Sequence, residues 1–199
     1  MSGGSIIVIA FLAFVAITIF KGVRIVPQGY KWIVQRLGKY HTTLNPGLNF
    51  VIPYVDEVAY KVTTKDIVLD IPSQEVITRD NAVLLMNAVA YINLTTPEKA
   101  VYGIENYSWA IQNLVQTSLR SIVGEMDLDD ALSSRDHIKA RLKSSISDDI
   151  SDWGITLKTV EIQDIKPSIT MQTAMEEQAA AERQRRATVT KADGEKQAA

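Results

Sequence analysis

From Ser2 to Phe20 the chain carries no charged side chain, and Ile6 to Phe20 reads IIVIAFLAFVAITIF, apolar throughout except for Thr18. As a helix rising 1.5 Å per residue, Ser2 to Phe20 is roughly 28 Å long, close to the ~30 Å hydrocarbon layer of a bilayer, so it can span one. A cleaved secretory signal needs a basic stretch before the run and a small-residue cleavage site after it, and neither is present. Lys21, Arg24 and Lys31 follow the run instead. Positive charge on that side alone predicts a single-pass anchor, residues 1–25, with the N-terminus outside the cell membrane and the rest cytoplasmic. The anchoring side chains are Ile6, Val8, Phe11, Leu12, Phe14, Ile17 and Phe20.

The chain as a whole has a globular balance. Over 199 residues, 46% are hydrophobic and 22% charged, enough to bury a core. A formal net charge of −2 argues against nucleic acid as a partner, because binding phosphates needs a surplus of Lys and Arg on one face. With no cysteine, disulfide frameworks, thiolate metal sites, palmitoylation and cysteine nucleophiles all drop out. His41 and His137 lie far apart in no metal-ligand spacing and read as surface residues. Asp127, Asp129 and Asp130 lack the alternating ligands and glycine of a calcium loop and read as helix capping. No nucleophile elbow, phosphate-binding lysine loop or dinucleotide glycine pattern occurs, so no catalytic residue, cofactor or metal is expected.

After the anchor the pattern has period two. Tyr30, Trp32 and Val34 alternate with polar partners, as do Val58, Tyr60 and Val62, then Ile67, Leu69 and Ile71. These predict half-buried strands, the last two joined as a hairpin across Thr63 to Lys65. Ala82 to Leu94 is a longer strand whose Leu84, Met86, Ala88, Ala90, Ile92 and Leu94 form a core face. Val83, Leu85 and Tyr91 on its other face are more apolar than water requires, and meet either another subunit or a helix of the same domain.

Thr96-Pro97 opens a short helix, and Asn106 caps a longer one with Ile111, Val115, Leu119 and Ile122 on one side. Ile138, Leu142, Ile146, Ile150 and Trp153 stripe the next, which Gly154 terminates. Ile155 to Ile165 returns to a strand, closed by Pro167. Ser168 to Ala199 is rich in alanine, with acidic and basic side chains in equal number, and should be helical by propensity. A weak three-four spacing runs through Met171, Ala174, Gln178 and Ala181, so this segment either stands in water or pairs with copies of itself. The fold class expected is α+β: a transmembrane helix, a mixed, mainly antiparallel sheet with packed helices, then a long helix that continues beyond Ala199. Residues 26–95 form a mainly β subdomain, 96–167 an α/β subdomain and 168–199 the start of the coiled-coil-like tail.

This order resembles the stomatin, prohibitin and flotillin superfamily, whose shared unit is the SPFH or band 7 domain. The resemblance is carried by VPQGYKWIVQRLGKYHTTLNPGLNFVIPYVD from Val26, LDIPSQEVITRDNAVLLMNAVAYINL from Leu69, QTSLRSIVGEMDLDDALSSRD from Gln116, WGITLKTVEIQDIKPS from Trp153, and AERQRRA in the tail. Within the superfamily the chain is most similar to bacterial stomatin-like proteins of the QmcA type. The resemblance implies a non-enzymatic scaffold: a large homo-oligomeric ring or cage on one membrane face, organising a membrane microdomain and modulating membrane proteases of FtsH or NfeD type. The alternative is a low-order adaptor for such a protease. Self-association would use Val83, Leu85 and Tyr91 with Met171, Ala174, Met175 and Ala181.

One short stretch, LNPGLNFVIP from Leu44, is too brief to cross a bilayer. Asn45-Pro46-Gly47 is a turn signal. The strip Leu48, Phe50, Val51, Ile52 and Tyr54 dips into the headgroup region beside the anchor, or else Phe50 and Ile52 fill the domain core.

Overall fold

The computed structural model describes the backbone of residues 3–198, with the side chains of Ile9 and residues 11–190. The architecture is α+β. In chain order the elements are α1 (Gly3–Gly22), β1 (Val23–Val26), β2 (Tyr30–Arg36), β3 (Lys39–Leu44), β4 (Gly47–Phe50), β5 (Asp56–Thr63), β6 (Ile67–Ile77) and β7 (Val83–Leu94). There follow α2 (Pro97–Gly103), α3 (Tyr107–Gly124), α4 (Leu128–Ser133), α5 (Arg135–Asp152), β8 (Ile155–Pro167) and α6 (Ile169–Ala198). Three sheets form: β1-β4, β3-β2-β5 and β6-β7-β8. The first two are antiparallel throughout.

The chain folds as two compact units. One comprises the chain through Leu69 with Ala90–Ile111 and Ser145–Thr159; the other comprises Asp70–Val89, Gln112–Ser144 and the chain from Val160. In the first unit, Val26, Val34, Leu44 and Val51 are buried together, with Trp32 and Val58 packed against them. Tyr102 of α2 meets Tyr40 of β3 and Tyr60 of β5 edge-on, at 6.1 and 5.9 Å between ring centroids, and its hydroxyl accepts from Gln35 of β2. That contact fixes α2 to the three-stranded sheet. In the second unit the core is Leu84, Met86 and Ala88 of β7 with Val115, Leu119 and Ile122 of α3 and Ile138 and Leu142 of α5.

Period and capping explain most of these elements. The β7 parity from Leu84 to Leu94 is buried as its alternation predicts, while Val83, Leu85 and Tyr91 are half-buried. Asn106 caps α3, its Oδ1 accepting from the N–H of Trp109 at 3.0 Å. Ser168 does the same for α6, accepting from Met171 at 3.3 Å.

Two expectations are corrected. β5 and β6 do not pair as a hairpin but lie in different sheets. The segment between them is held elsewhere: Thr64 donates to Gly29 O at 2.9 Å, and Thr64 O accepts from Asn93 at 2.9 Å, so no two-strand turn closes. Asp127 stands at the N-cap of α4 but makes no side-chain cap bond, because its carboxylate is bound by Arg79. The carboxylate of Asp80 takes the cap instead, accepting from Leu128 N–H at 3.2 Å.

Candidate membrane interface

The site is built where α1 runs into β1. With Ile25 opposite Leu48 and Val23 opposite Phe50, the β1-β4 ribbon gathers its apolar side chains on one face. Gly47, at φ 114, supplies the left-handed turn that starts β4. Val26, one position on, points the other way into the core. Leu48 is 64% exposed, Phe50 69% and Ile25 70%, so this face is an apolar surface with nothing of its own unit upon it.

The β4-β5 connection extends it. Val51 donates to Gly22 O at 2.8 Å and is buried, so of the strip Leu48 to Tyr54 this one side chain belongs to the core. Ile52 and Tyr54 are exposed. Their turn is locked by Asp56, whose backbone N–H donates to Ile52 O at 2.9 Å while its carboxylate accepts from Ile52 N–H at 2.8 Å. The same carboxylate binds the Arg36 guanidinium at 2.6 and 3.0 Å. These bonds, led by that to Arg36 and opposed by burial, hold the Asp56 carboxyl at about 2, well below the ordinary carboxylate range.

Two residues that the sequence reading passed over join the surface. Ile25 is brought to Leu48 by strand register, invisible in local pattern. Leu37 sits with Gly38 in the two-residue turn between β2 and β3, both at positive φ (50° and 80°), where Asn-Gly is the usual solution. Leu37 is 83% exposed, and its backbone N–H donates to Val55 O beside Tyr54. A leucine where asparagine would be less strained was the signal available in the sequence.

Phe11, Leu12, Phe14, Ile17 and Phe20 of α1 are all exposed, so apolar side chains of this helix face outward among the described residues. Among the described residues no helix is long and apolar enough to cross a membrane. The side chains of Ile6 and Val8, also expected in the anchor, lie outside those residues. In α6, Met171 is half-buried and Ala174, Met175 and Ala181 are exposed. His41 and His137 are exposed and remote in sequence, and no group of His, Cys, Asp and Glu able to hold a metal occurs among the described residues.

Residues 24–196 match the SPFH domain / Band 7 family. A protein of Methanocaldococcus jannaschii is 41% identical over 89% of this chain and 89% of its own length. A stomatin homolog of Pyrococcus horikoshii is 41% identical over 94% of this chain and 70% of its own. Mitochondrial stomatin-like protein 2 of Rattus norvegicus is 37% identical over 87% of this chain, which spans 49% of the rat protein. The mycobacterial relatives are likewise spanned over only 51% of their length. The chain belongs to the SPFH domain / Band 7 family. Its named relatives make it stomatin-like within that family.

Proposed function

We propose that this chain is a membrane-bound, non-catalytic scaffold. α1 enters the bilayer as a single-pass anchor of the cell membrane, N-terminus outside. Ile25, Leu37, Leu48, Phe50, Ile52 and Tyr54 rest at the boundary of headgroups and acyl chains on the cytoplasmic side. The observation that supports this is continuity: a helix with exposed apolar side chains runs at Gly22 directly into a ribbon whose exposed face is also apolar. Burying three or four such side chains at roughly 25 cal/mol per Å² contributes several kcal/mol, enough to hold the unit flat against the membrane.

Copies then gather side by side through Val83, Leu85 and Tyr91 and through Met171, Ala174, Met175 and Ala181. Weak lateral contacts multiply through effective concentration once each copy is anchored, which favours a closed ring or cage over a dispersed population. Such an assembly would organise a microdomain and modulate a membrane protease of FtsH or NfeD type.

Two measurements test the reading. Phe50→Trp in the full chain, reconstituted with brominated lipid, should add a quenched fluorescence component; an unquenched added tryptophan refutes membrane contact. Size in mild detergent should be that of a many-membered assembly. One or two chains would refute the ring and leave the low-order adaptor.

A further inference from the structure

Beside the foot of α1 a cleft of about 570 Å³ is lined by Phe20, Lys21, Arg24, Pro53 and Tyr54, with Asp56 at its back. Its position follows from strand parity. Arg24 lies between Val23 and Ile25, so it projects from the ribbon face opposite to the apolar one. With Ile25, Leu48 and Phe50 at the acyl boundary, Arg24 is raised to the depth of the lipid headgroups.

The charge of the cleft is positive and uncompensated. Asp56 is already neutralised by the two-pronged Arg36 bond and by Ile52 N–H. Glu57 lines the neighbouring recess with Arg24 and with Lys61, which lies 4.7 Å over the Trp32 ring. What remains is Lys21, resting 5.6 Å from the Tyr54 ring centroid, and Arg24, whose guanidinium has no partner among the described residues. An arginine fork matches two oxygens of a phosphate, and an ammonium held over an aromatic face supplies a second cation from the side. Phe20 and Tyr54, both largely exposed, give the cleft apolar walls where a lipid's glycerol and upper acyl chain would lie.

We propose that this cleft binds the phosphate of a net-anionic membrane lipid, Arg24 taking its oxygens and Lys21 closing on them. The proposal rests on the membrane-facing reading above and adds the lipid class to it. A zwitterionic lipid carries its own ammonium beside the phosphate and gains less from the two cations.

The test uses the full chain in mild detergent, offered phosphatidylglycerol and phosphatidylcholine in competition, with retained lipid counted by native mass spectrometry. Phosphatidylglycerol should be retained in preference. Arg24→Gln should lower its retention about five-fold, the size of one cation's attraction to an anionic lipid surface. Arg24→Lys, which keeps the charge but loses the fork, should also weaken retention, whereas Lys158→Gln, outside the cleft, should not. Equal retention of the two lipids, or Arg24→Lys matching the parent chain, overturns the site. Displacement by inorganic phosphate as readily as by lipid overturns the lipid source. Reconstitution separates the two readings. A chain that enters bilayers of neither lipid refutes the membrane interface itself; one that enters both alike, with the Arg24 variants silent, refutes this cleft alone.

Discussion

The backbone N–H of Val51 donates to the carbonyl of Gly22 at 2.8 Å, and a Cβ placed on Gly22 would stand 2.8 Å from Val51 O. The end of α1 and the buried residue of the strip are therefore joined backbone to backbone. No side chain fits between them. The obstructing atom is a carbonyl oxygen rather than the end of a flexible side chain, so relief requires moving β4 or α1. Gly22→Ala should destabilise the first unit by about 1–3 kcal/mol. Thermal unfolding in mild detergent measures it, and an unchanged midpoint would contradict the close approach.

Leu37 offers a test of opposite sign. A non-glycine residue in the left-handed region costs roughly 1–2 kcal/mol, and the Leu37 side chain packs on little in compensation. Leu37→Gly should recover part of that, raising stability by up to about 1 kcal/mol after glycine's unfolded-state entropy is counted. The same change should reduce bilayer contact. Gain of stability with loss of membrane contact is the signature of a residue kept for its surface; a loss of both would mean that the leucine supports the fold.

Acid should weaken the turn that carries Ile52. The folded pKa of Asp56, about 2, lies below its ordinary value of 3.8, so the unfolded chain takes up the proton first as pH falls. The stabilisation is fully present above about pH 4 and is lost as pH drops through about 2. Asp80 is lowered as well, by the Thr78 hydroxyl first and then by Leu128 N–H, and acts in the same direction. Asp56→Asn should lower stability at neutral pH by about 2 kcal/mol, with the gap from the parent chain closing at about pH 2 in urea unfolding. A gap independent of pH would assign the loss to packing.

Gly154 ends α5 at φ 70, and a Cβ there would lie 2.5 Å from Thr96 O, the residue that receives the Gly154 carbonyl through its own N–H at 2.9 Å. Strain and collision add. Gly154→Ala should cost more than about 2 kcal/mol, read as a lowered denaturation midpoint with an unchanged denaturant slope.

Much of this architecture was legible in the sequence because it depends on short-range periodicity. The Leu84 to Leu94 parity, the stripes of α3 and α5 and the Asn106 cap all follow from residues within a few positions of one another. What escaped was non-local. Thr63 to Lys65 looks like a hairpin turn until Gly29 and Asn93 engage Thr64. Asp127 looks like a cap until Arg79 binds its carboxylate and Asp80 takes its place. The candidate surface divides in the same way. Leu48, Phe50, Ile52 and Tyr54 could be read from the strip itself, but Ile25 needed the β1-β4 register. Burial of Val51 needed the bond to Gly22.

The tail helix carries a further consequence. Along α6, Glu182 binds Arg185 at 3.2 Å and Arg186 at 3.1 Å, bonds that span only one turn, and nearly every described side chain faces solvent. Pairs of this kind contribute a few tenths of a kcal/mol each, too little to hold a long rod rigid by itself. Its amide protons should therefore exchange quickly in a solitary molecule and slowly in a crowded one. The shaft would act as an internal gauge of how many neighbours have arrived.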